Sequence, residues 1–185
     1  MNLPNKLTLV RIALIPLLVA SFYIDTTCKG LIAAGIFVLA YITDMLDGYI
    51  ARKRNLITDF GKFMDPIADK LLTACALVFM LAKGMFVPIF GEVFVFVTIA
   101  REFIISGLRL VAACNGDVIA AGSLGKLKTV LQFITLTFIL VDGYVLPELI
   151  KNIVDCTLIS ITAIVTLWSM IDYFWKSRHI CLNSK

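Results

Sequence analysis

Six apolar stretches, separated by short polar segments, make up most of this chain. They run over Thr8–Ile24, Leu31–Ile50, Pro66–Lys83, Phe86–Val111, Leu127–Val141 and Ile153–Tyr173. A helix of about 20 residues crosses the hydrocarbon core of a bilayer, and each stretch approaches or exceeds that length. The polar start, residues 2–8, predicts a short helix along the membrane surface before the first span. The pattern therefore predicts an all-α integral membrane protein with six transmembrane helices.

The composition supports a membrane protein with a single domain. Hydrophobic residues make up 60% of the 185 residues, against about 45–50% in soluble domains. No long polar stretch divides the sequence, so residues 1–185 are predicted to form one transmembrane domain. The sequence also lacks a basic stripe with interleaved aromatic residues outside the apolar stretches, which argues against nucleic acid as a partner.

The distribution of basic residues predicts the orientation in the membrane. With six spans, the loops on one side hold only Lys29, Lys83 and Lys151, whereas thirteen of the fourteen other lysines and arginines, Arg11 among them, fall towards the opposite side. Cytoplasmic loops of membrane proteins carry such an excess. The basic side is therefore predicted to face the cytoplasm, and this bias accounts for the net charge of +4.

Four aspartates lie inside or at the cytoplasmic ends of the second and third apolar stretches: Asp44, Asp47, Asp65 and Asp69. An ionised side chain in the membrane costs about 2.5–3.5 kcal/mol or more unless it is compensated. The first pair is three residues apart and the second four, so each pair shares one helix face. Carboxylates on two neighbouring helices suit two hard divalent cations, Mg²⁺ or Mn²⁺.

Small and basic residues accompany the acids at fixed intervals. Gly48, Ala51 and Gly61 lack bulk, so that a ligand's phosphates can approach the backbone closely. Arg52 carries a planar fork of donors that binds phosphate with two hydrogen bonds. Two metal ions side by side can clamp phosphoryl oxygens. These residues predict a phosphate-handling metal site at the cytoplasmic mouth of a helical bundle.

The spacing of these residues, Asp44-x2-Asp47-Gly48-x2-Ala51-Arg52-x8-Gly61-x3-Asp65-x3-Asp69, resembles the signature of the CDP-alcohol phosphatidyltransferases at every fixed position. A chance match in a chain of this length is on the order of 10⁻⁷ or less. Members of that family pass a phosphate-linked group from a CDP-linked donor to an alcohol and release CMP. The resemblance therefore implies a transferase with the CDP-alcohol phosphotransferase fold, and a homodimer.

The resemblance also implies roles for the matching residues. The implied metal ligands are Asp44, Asp47, Asp65 and Asp69. Asp69, the last acid, would also act as general base on the acceptor hydroxyl. The implied contacts to the CDP moiety are Gly48, Arg52 and Thr58, with the small residues Ala51 and Gly61 beside them.

Basic residues recur in region 101–129, at the cytoplasmic ends of the fourth and fifth stretches. Arg101 and Arg109 are eight residues apart, about 80° around a helix, so both can face one pocket. Lys126 and Lys128 are about 200° apart, so only one of them can, and Lys126 is the residue we assign. Two arginines and a lysine suit an acceptor that carries its own phosphate.

Several segments are most similar to bacterial members of the family that act on sn-glycerol 3-phosphate. They are Asn2–Asn5, Asp59–Pro66, Arg101–Phe103, Ser106–Arg109 and Gly125–Thr129. The similarity implies CDP-diacylglycerol as donor, phosphatidylglycerophosphate and CMP as products, and an active site on the cytoplasmic face of a bacterial inner membrane.

Other interpretations stay open at this point. Within the family, the acceptor would be inositol phosphate, serine or phosphatidylglycerol. The aspartates would otherwise form structural ion pairs with Lys70, Arg101 or Lys126, and the basic residues would anchor lipid headgroups. A cation- or proton-coupled transporter that uses the aspartates as a relay is a further class. The clustering of acids and arginines on one side argues against a transporter.

Overall fold

The computed structural model describes residues 3–54, 59–114 and 122–183. Within these ranges the protein contains six α-helices and no strand. The helices are α1 (Leu3–Ser21), α2 (Lys29–Arg54), α3 (Asp59–Ala82), α4 (Phe90–Cys114), α5 (Ser123–Val141) and α6 (Glu148–Asn183), and a short 3₁₀ helix at Asp142–Tyr144 follows α5. The predicted all-α fold is confirmed.

Each predicted apolar stretch falls on one helix, but three stretches stand out as membrane spans. Among the described residues, the helical segments long and apolar enough to cross a bilayer are Lys29–Leu46, Ser123–Tyr144 and Glu148–Lys176. They belong to α2, α5 with its 3₁₀ extension, and α6. Membrane crossing by α1, α3 and α4 stays a prediction.

The helix ends differ from the hydropathy boundaries. Residues 3–8, which we expected to form a separate interfacial helix, are the first turns of α1. Within the signature, α2 continues to Arg54 and α3 begins at Asp59, so both pairs of acids lie on regular helix. Hydropathy misses these ends because it stops where polar residues begin.

The chain divides into two compact units, which are Met1–Met85 with Thr137–Val145, and Phe86–Leu136 with Leu146–Lys185. In the first unit α1 packs against α2 and α3, and α2 also contacts α3. Leu18, Phe37, Leu72 and Met80 form part of its buried core. A tight turn closes α3, where Gly84 adopts φ +65° and its N–H donates to the Leu81 carbonyl at 3.0 Å.

A close approach of backbones secures the start of α2 in the first unit. The Gly30 N–H donates to the Tyr144 hydroxyl at 3.0 Å. A Cβ atom at Gly30 would lie 2.3 Å from the carbonyl oxygen of Leu140. Only glycine therefore fits this position without a backbone shift.

The second unit combines apolar and polar residues in its interior. α4 packs against α6, and Phe94, Leu136 and Ile159 are buried. The hydroxyls of Thr135 on α5 and Thr162 on α6 are also buried and lie 2.8 Å apart. A buried hydroxyl without a partner is costly, so this pair satisfies two polar groups at once.

Candidate active site

Helix α1 brings two polar side chains to the acids of the signature. Thr8 and Arg11, three residues apart on one face of α1, are both buried. The Thr8 hydroxyl donates to Asp65 Oδ1 on α3 at 2.5 Å. The Arg11 guanidinium lies 2.8 Å (Nη1–Oδ1) from Asp44 on α2. One face of α1 thus holds one acid from each of the two helices that carry the signature.

The charges of these acids act on one another. The negative charge of Asp44 is attracted by Arg11 and repelled by Asp65. The hydroxyl of Tyr41, one turn before Asp44 on α2, interacts electrostatically with the carboxylates of both Asp69 and Asp44. Asp44, Asp65 and Asp69 are each neither fully buried nor fully exposed. Three of the four predicted metal ligands therefore share one electrostatic environment in the first unit.

The donor chemistry of this environment fits a hard divalent cation. The contacts from α1 use Oδ1 of Asp44 and of Asp65, and Oδ2 of each remains as an oxygen donor. A divalent cation between two carboxylates attracts both of them, and this attraction exceeds their mutual repulsion. Among the described side chains, however, no three from histidine, cysteine, aspartate and glutamate lie close enough together to hold a metal ion. The side chain of Asp47, a predicted ligand, lies outside those described.

The predicted CDP contacts are only partly described. Gly48 on α2 is half-buried and Gly61 on α3 is buried, so the two small residues lie on the helices that carry the acids. The side chains of Ala51 and Arg52 lie outside the described residues, as does all of Thr58. The roles of these three residues stay predictions.

Asp44 does form an ion pair, as one of the alternative interpretations proposed for the acids, but with a different partner. The cation beside it is Arg11, which was predicted only to contribute to the charge bias. Lys70, one of the partners considered, instead donates to the Pro66 carbonyl in its own helix at 3.3 Å. An ion pair and a metal site are compatible here, because Arg11 contacts one carboxylate oxygen and leaves the other.

A cluster of charged residues joins three helices of the second unit. We call Arg101, Glu102, Lys128 and Ser169 the Glu102 cluster. Glu102 Oε1 lies 3.0 Å from Arg101 Nη1 and 2.5 Å from Lys128 Nζ. Arg101 Nη2 donates to the Ser169 hydroxyl at 2.9 Å. Arg101 and Lys128 are buried, so one carboxylate on α4 holds two buried cations together.

The other predicted acceptor contacts are more exposed. Arg109, two turns beyond Arg101 on α4, donates through Nε to the Tyr173 hydroxyl at 3.3 Å. Its guanidinium carbon also lies 5.5 Å from the centre of the Tyr173 ring. Lys126 is exposed whereas Lys128 is buried. The two lysines thus point in different directions, as their spacing predicts.

Sequence reasoning missed several of these contacts. Thr8 and Arg11 lie outside the signature, and Ser169 lies in a helix to which no role was given. A signal for α1 was present, since an arginine three residues after a threonine inside an apolar stretch places two polar groups on one face. For Ser169 the sequence offered no signal, because its partner Arg101 is distant in the chain.

The comparisons with known proteins agree with the signature. The family model for CDP-alcohol phosphatidyltransferase matches residues 1–173. Three relatives carry the name CDP-diacylglycerol–glycerol-3-phosphate 3-phosphatidyltransferase, the Arabidopsis one with the suffix 2. The protein from Rickettsia bellii (strain RML369-C) is 40% identical, covering 94% of this chain and 93% of the relative. That from Bacillus subtilis (strain 168) is 41% identical and covers 95% of each, and that from Arabidopsis thaliana is 39% identical, covering 98% and 82%.

Proposed function

The chain belongs to the CDP-alcohol phosphatidyltransferase family, and from that membership we propose that it transfers the phosphatidyl group of CDP-diacylglycerol to sn-glycerol 3-phosphate. The products are phosphatidylglycerophosphate and CMP. The observation that carries this proposal is the agreement, at about 40% identity over 94% of the chain, with relatives that bear the name of this reaction. It makes the protein an enzyme of phospholipid biosynthesis in a membrane.

The aspartates of the signature are proposed to bind the reactive end of the donor. Asp44, Asp47, Asp65 and Asp69 would hold two divalent cations, Mg²⁺ or Mn²⁺, which when bound neutralise the pyrophosphate and the departing CMP. Thr8 and Arg11 support this role, since they fix the carboxylates of Asp65 and Asp44. A carboxylate with one oxygen held by a hydrogen bond or an ion pair loses less rotational freedom when its other oxygen binds a cation.

The CDP moiety is proposed to lie against the small residues of the signature. Gly48 and Gly61 allow the backbone to approach the nucleotide, and Ala51 adds no bulk. Arg52 and Thr58 would supply donors to the phosphates. The acyl chains of the donor stay in the bilayer, which explains why a transferase for this substrate is built from apolar helices.

The proposed reaction is a single displacement. The C1 hydroxyl oxygen of glycerol 3-phosphate attacks the β-phosphorus, which carries the diacylglycerol group. The bond from that phosphorus to the bridging oxygen breaks, and CMP leaves with the electron pair. Asp69 accepts the hydroxyl proton. Arg101, Arg109 and Lys126 bind the phosphate of the acceptor.

The proposal includes a cytoplasmic active site in the inner membrane of a bacterium and assembly as a homodimer. The bias of lysine and arginine supports the orientation, because both pairs of signature acids lie at the basic ends of their helices. The soluble acceptor would then reach the site directly from the cytoplasm.

CMP release from the purified protein tests the reaction. The protein in detergent is given CDP-diacylglycerol with Mn²⁺ or Mg²⁺, with and without glycerol 3-phosphate. We expect release only when both the metal and glycerol 3-phosphate are present. Asp65→Asn is the matched loss-of-function variant, and Asp25→Asn, an exposed acid after α1, is the control.

The other outcomes separate the remaining interpretations. Release that requires serine, inositol phosphate or phosphatidylglycerol would keep the family and replace the acceptor. Folded protein that binds the metal but releases no CMP with any of these alcohols would refute the proposal. Metal flux across proteoliposomes would then support the transporter alternative.

A further inference from the structure

We infer that Glu102 is a positioning residue that holds Arg101 and Lys128 together as a site for the phosphate of the acceptor. The inference rests on the proposed function and extends it in two ways. It assigns Lys128, in place of Lys126, as the lysine that contacts the acceptor phosphate, and it gives a role to an acid that does not itself touch the substrate.

The geometry of the Glu102 cluster supports a positioning role. Glu102 Oε1 accepts from both Arg101 Nη1, at 3.0 Å, and Lys128 Nζ, at 2.5 Å. Arg101 and Glu102 are neighbours on α4, and Lys128 comes from α5. Lysine and arginine are long side chains that lose about 2 kcal/mol of rotamer entropy when fixed. Because Glu102 fixes both before a ligand arrives, the ligand does not bear that cost.

The charges of the cluster favour an anion. Arg101, Glu102 and Lys128 carry one net positive charge between them, while the two cations are only 7% and 3% exposed. The Nε atom of Arg101 is buried and has no hydrogen-bond partner in the part of the chain that the structure describes. A buried donor without a partner costs about 1–3 kcal/mol. A phosphate would supply an acceptor oxygen for Arg101 Nε and a negative charge opposite to the net charge of these three side chains.

The start of α5 adds to the positive potential. Helix α5 begins at Ser123, and a Cβ atom on Gly125 would lie 3.7 Å from Arg101 Nη2. The first turn of α5 is therefore next to the Arg101 guanidinium. Since the N-terminus of a helix carries a partial positive charge, it favours an anion at the same place as the two cations.

The first test measures the KM for glycerol 3-phosphate. Glu102→Gln keeps the size of the side chain but loses its charge, so Arg101 and Lys128 are no longer held. We expect the KM to rise about tenfold with a smaller change in kcat. Glu92→Gln on the same helix, at an exposed position, is the matched control with an unchanged KM. A KM for Glu102→Gln equal to or below that of the wild type would overturn the inference.

A double-mutant cycle separates positioning from a merely structural role. If Glu102 acts partly through Lys128, Glu102→Gln raises the KM by a smaller factor in the Lys128→Gln background than in the wild type, because only its effect on Arg101 remains. Lys126 is exposed on the same helix, and the lysine that contacts Glu102 is Lys128, so the effects of Lys126→Gln and Glu102→Gln on the KM should multiply. Equal multiplication with both lysines would overturn the assignment of Lys128 to Glu102.

Two further measurements keep the inference testable if a variant or the reaction fails. Glu102→Gln can fail to fold because it leaves two buried cations without their acid. Lys128→Gln keeps the Arg101–Glu102 pair, and an unchanged KM in that variant would overturn the inference. If the wild-type protein releases no CMP at all, the proposed function fails, and the site is tested by inorganic phosphate alone. Stabilisation of the wild type, but not of Lys128→Gln, against thermal unfolding would then support an anion site; equal stabilisation of both would overturn it.

Discussion

Replacing Thr8 by valine tests whether α1 sets the geometry of the metal ligands. Threonine and valine have nearly the same shape, so the change removes the hydroxyl and creates no cavity. The change removes the hydrogen bond that the Thr8 hydroxyl donates to Asp65 Oδ1 at 2.5 Å. Hydrogen bonds to charged groups contribute about 1.5–3 kcal/mol. Because Asp65 is only half-buried, we expect a loss near the lower end, about 1.5 kcal/mol of unfolding free energy.

The metal dependence should change more than the stability does. Residues that orient a metal ligand typically cost about 10- to 100-fold in metal affinity or activity when they are replaced. We therefore expect Thr8→Val to need about tenfold more Mn²⁺ for half-maximal CMP release. The same shift should appear in direct Mn²⁺ binding, followed by the loss of the free-ion signal in electron paramagnetic resonance.

Thr166→Val provides the matched control. Thr166 is as buried as Thr8, but its hydroxyl donates at 2.7 Å to the Thr162 carbonyl in its own helix. We expect a small loss of stability and an unchanged Mn²⁺ midpoint. The reasoning fails if both valine variants show the wild-type midpoint, since the Thr8 hydroxyl would then not influence the ligands.

Three further substitutions give separate outcomes. Arg11→Met should lower the unfolding free energy by less than about 3–5 kcal/mol, the loss typical of a fully buried ion pair, because the side chain of Asp44 is 35% exposed. Mn²⁺ should then raise the melting temperature of this variant more than that of the wild type. An equal rise would contradict a site at Asp44 that Arg11 and the metal share. Gly30→Ala should cost about 1–3 kcal/mol through the contact of 2.3 Å that a Cβ atom would make, whereas Gly35→Ala in the same helix, with nothing within 4 Å, should be neutral or slightly stabilising in thermal unfolding. Asp69→Asn should reduce CMP release at least about 100-fold and keep substantial Mn²⁺ binding; a near wild-type rate would rule out Asp69 as the base.

Local sequence patterns predicted the helices and the acids, but not the contacts between helices. The apolar stretches identify the six helices because burial in lipid selects long apolar runs, and the signature identifies Asp44 and Asp65 because their spacing is fixed along two helices. The partners of these acids, Thr8 and Arg11, come from α1. Hydropathy locates α1 in the sequence but does not reveal which neighbouring helix each of its faces contacts.

The two lysines of α5 illustrate the same limit. Their spacing shows that Lys126 and Lys128 point in different directions, but not which of them points inward. The structure buries Lys128 against Glu102, a contact between different helices. The pairing of Arg101 with Glu102 was equally hidden, since adjacent residues on a helix do not normally face each other.

The buried guanidinium of Arg11 has a consequence for how the chain enters the membrane during synthesis. Arg11 lies near the middle of α1, is fully buried and is compensated by Asp44 on α2. A nascent chain that has only α1 would carry an uncompensated charge, at a cost of about 2.5–3.5 kcal/mol or more in the bilayer. In the part of the chain that the structure describes, α1 is also not among the segments apolar enough to span a membrane. If α1 crosses the membrane as predicted, we expect it to depend on α2 for its insertion and the two helices to enter the membrane as a hairpin.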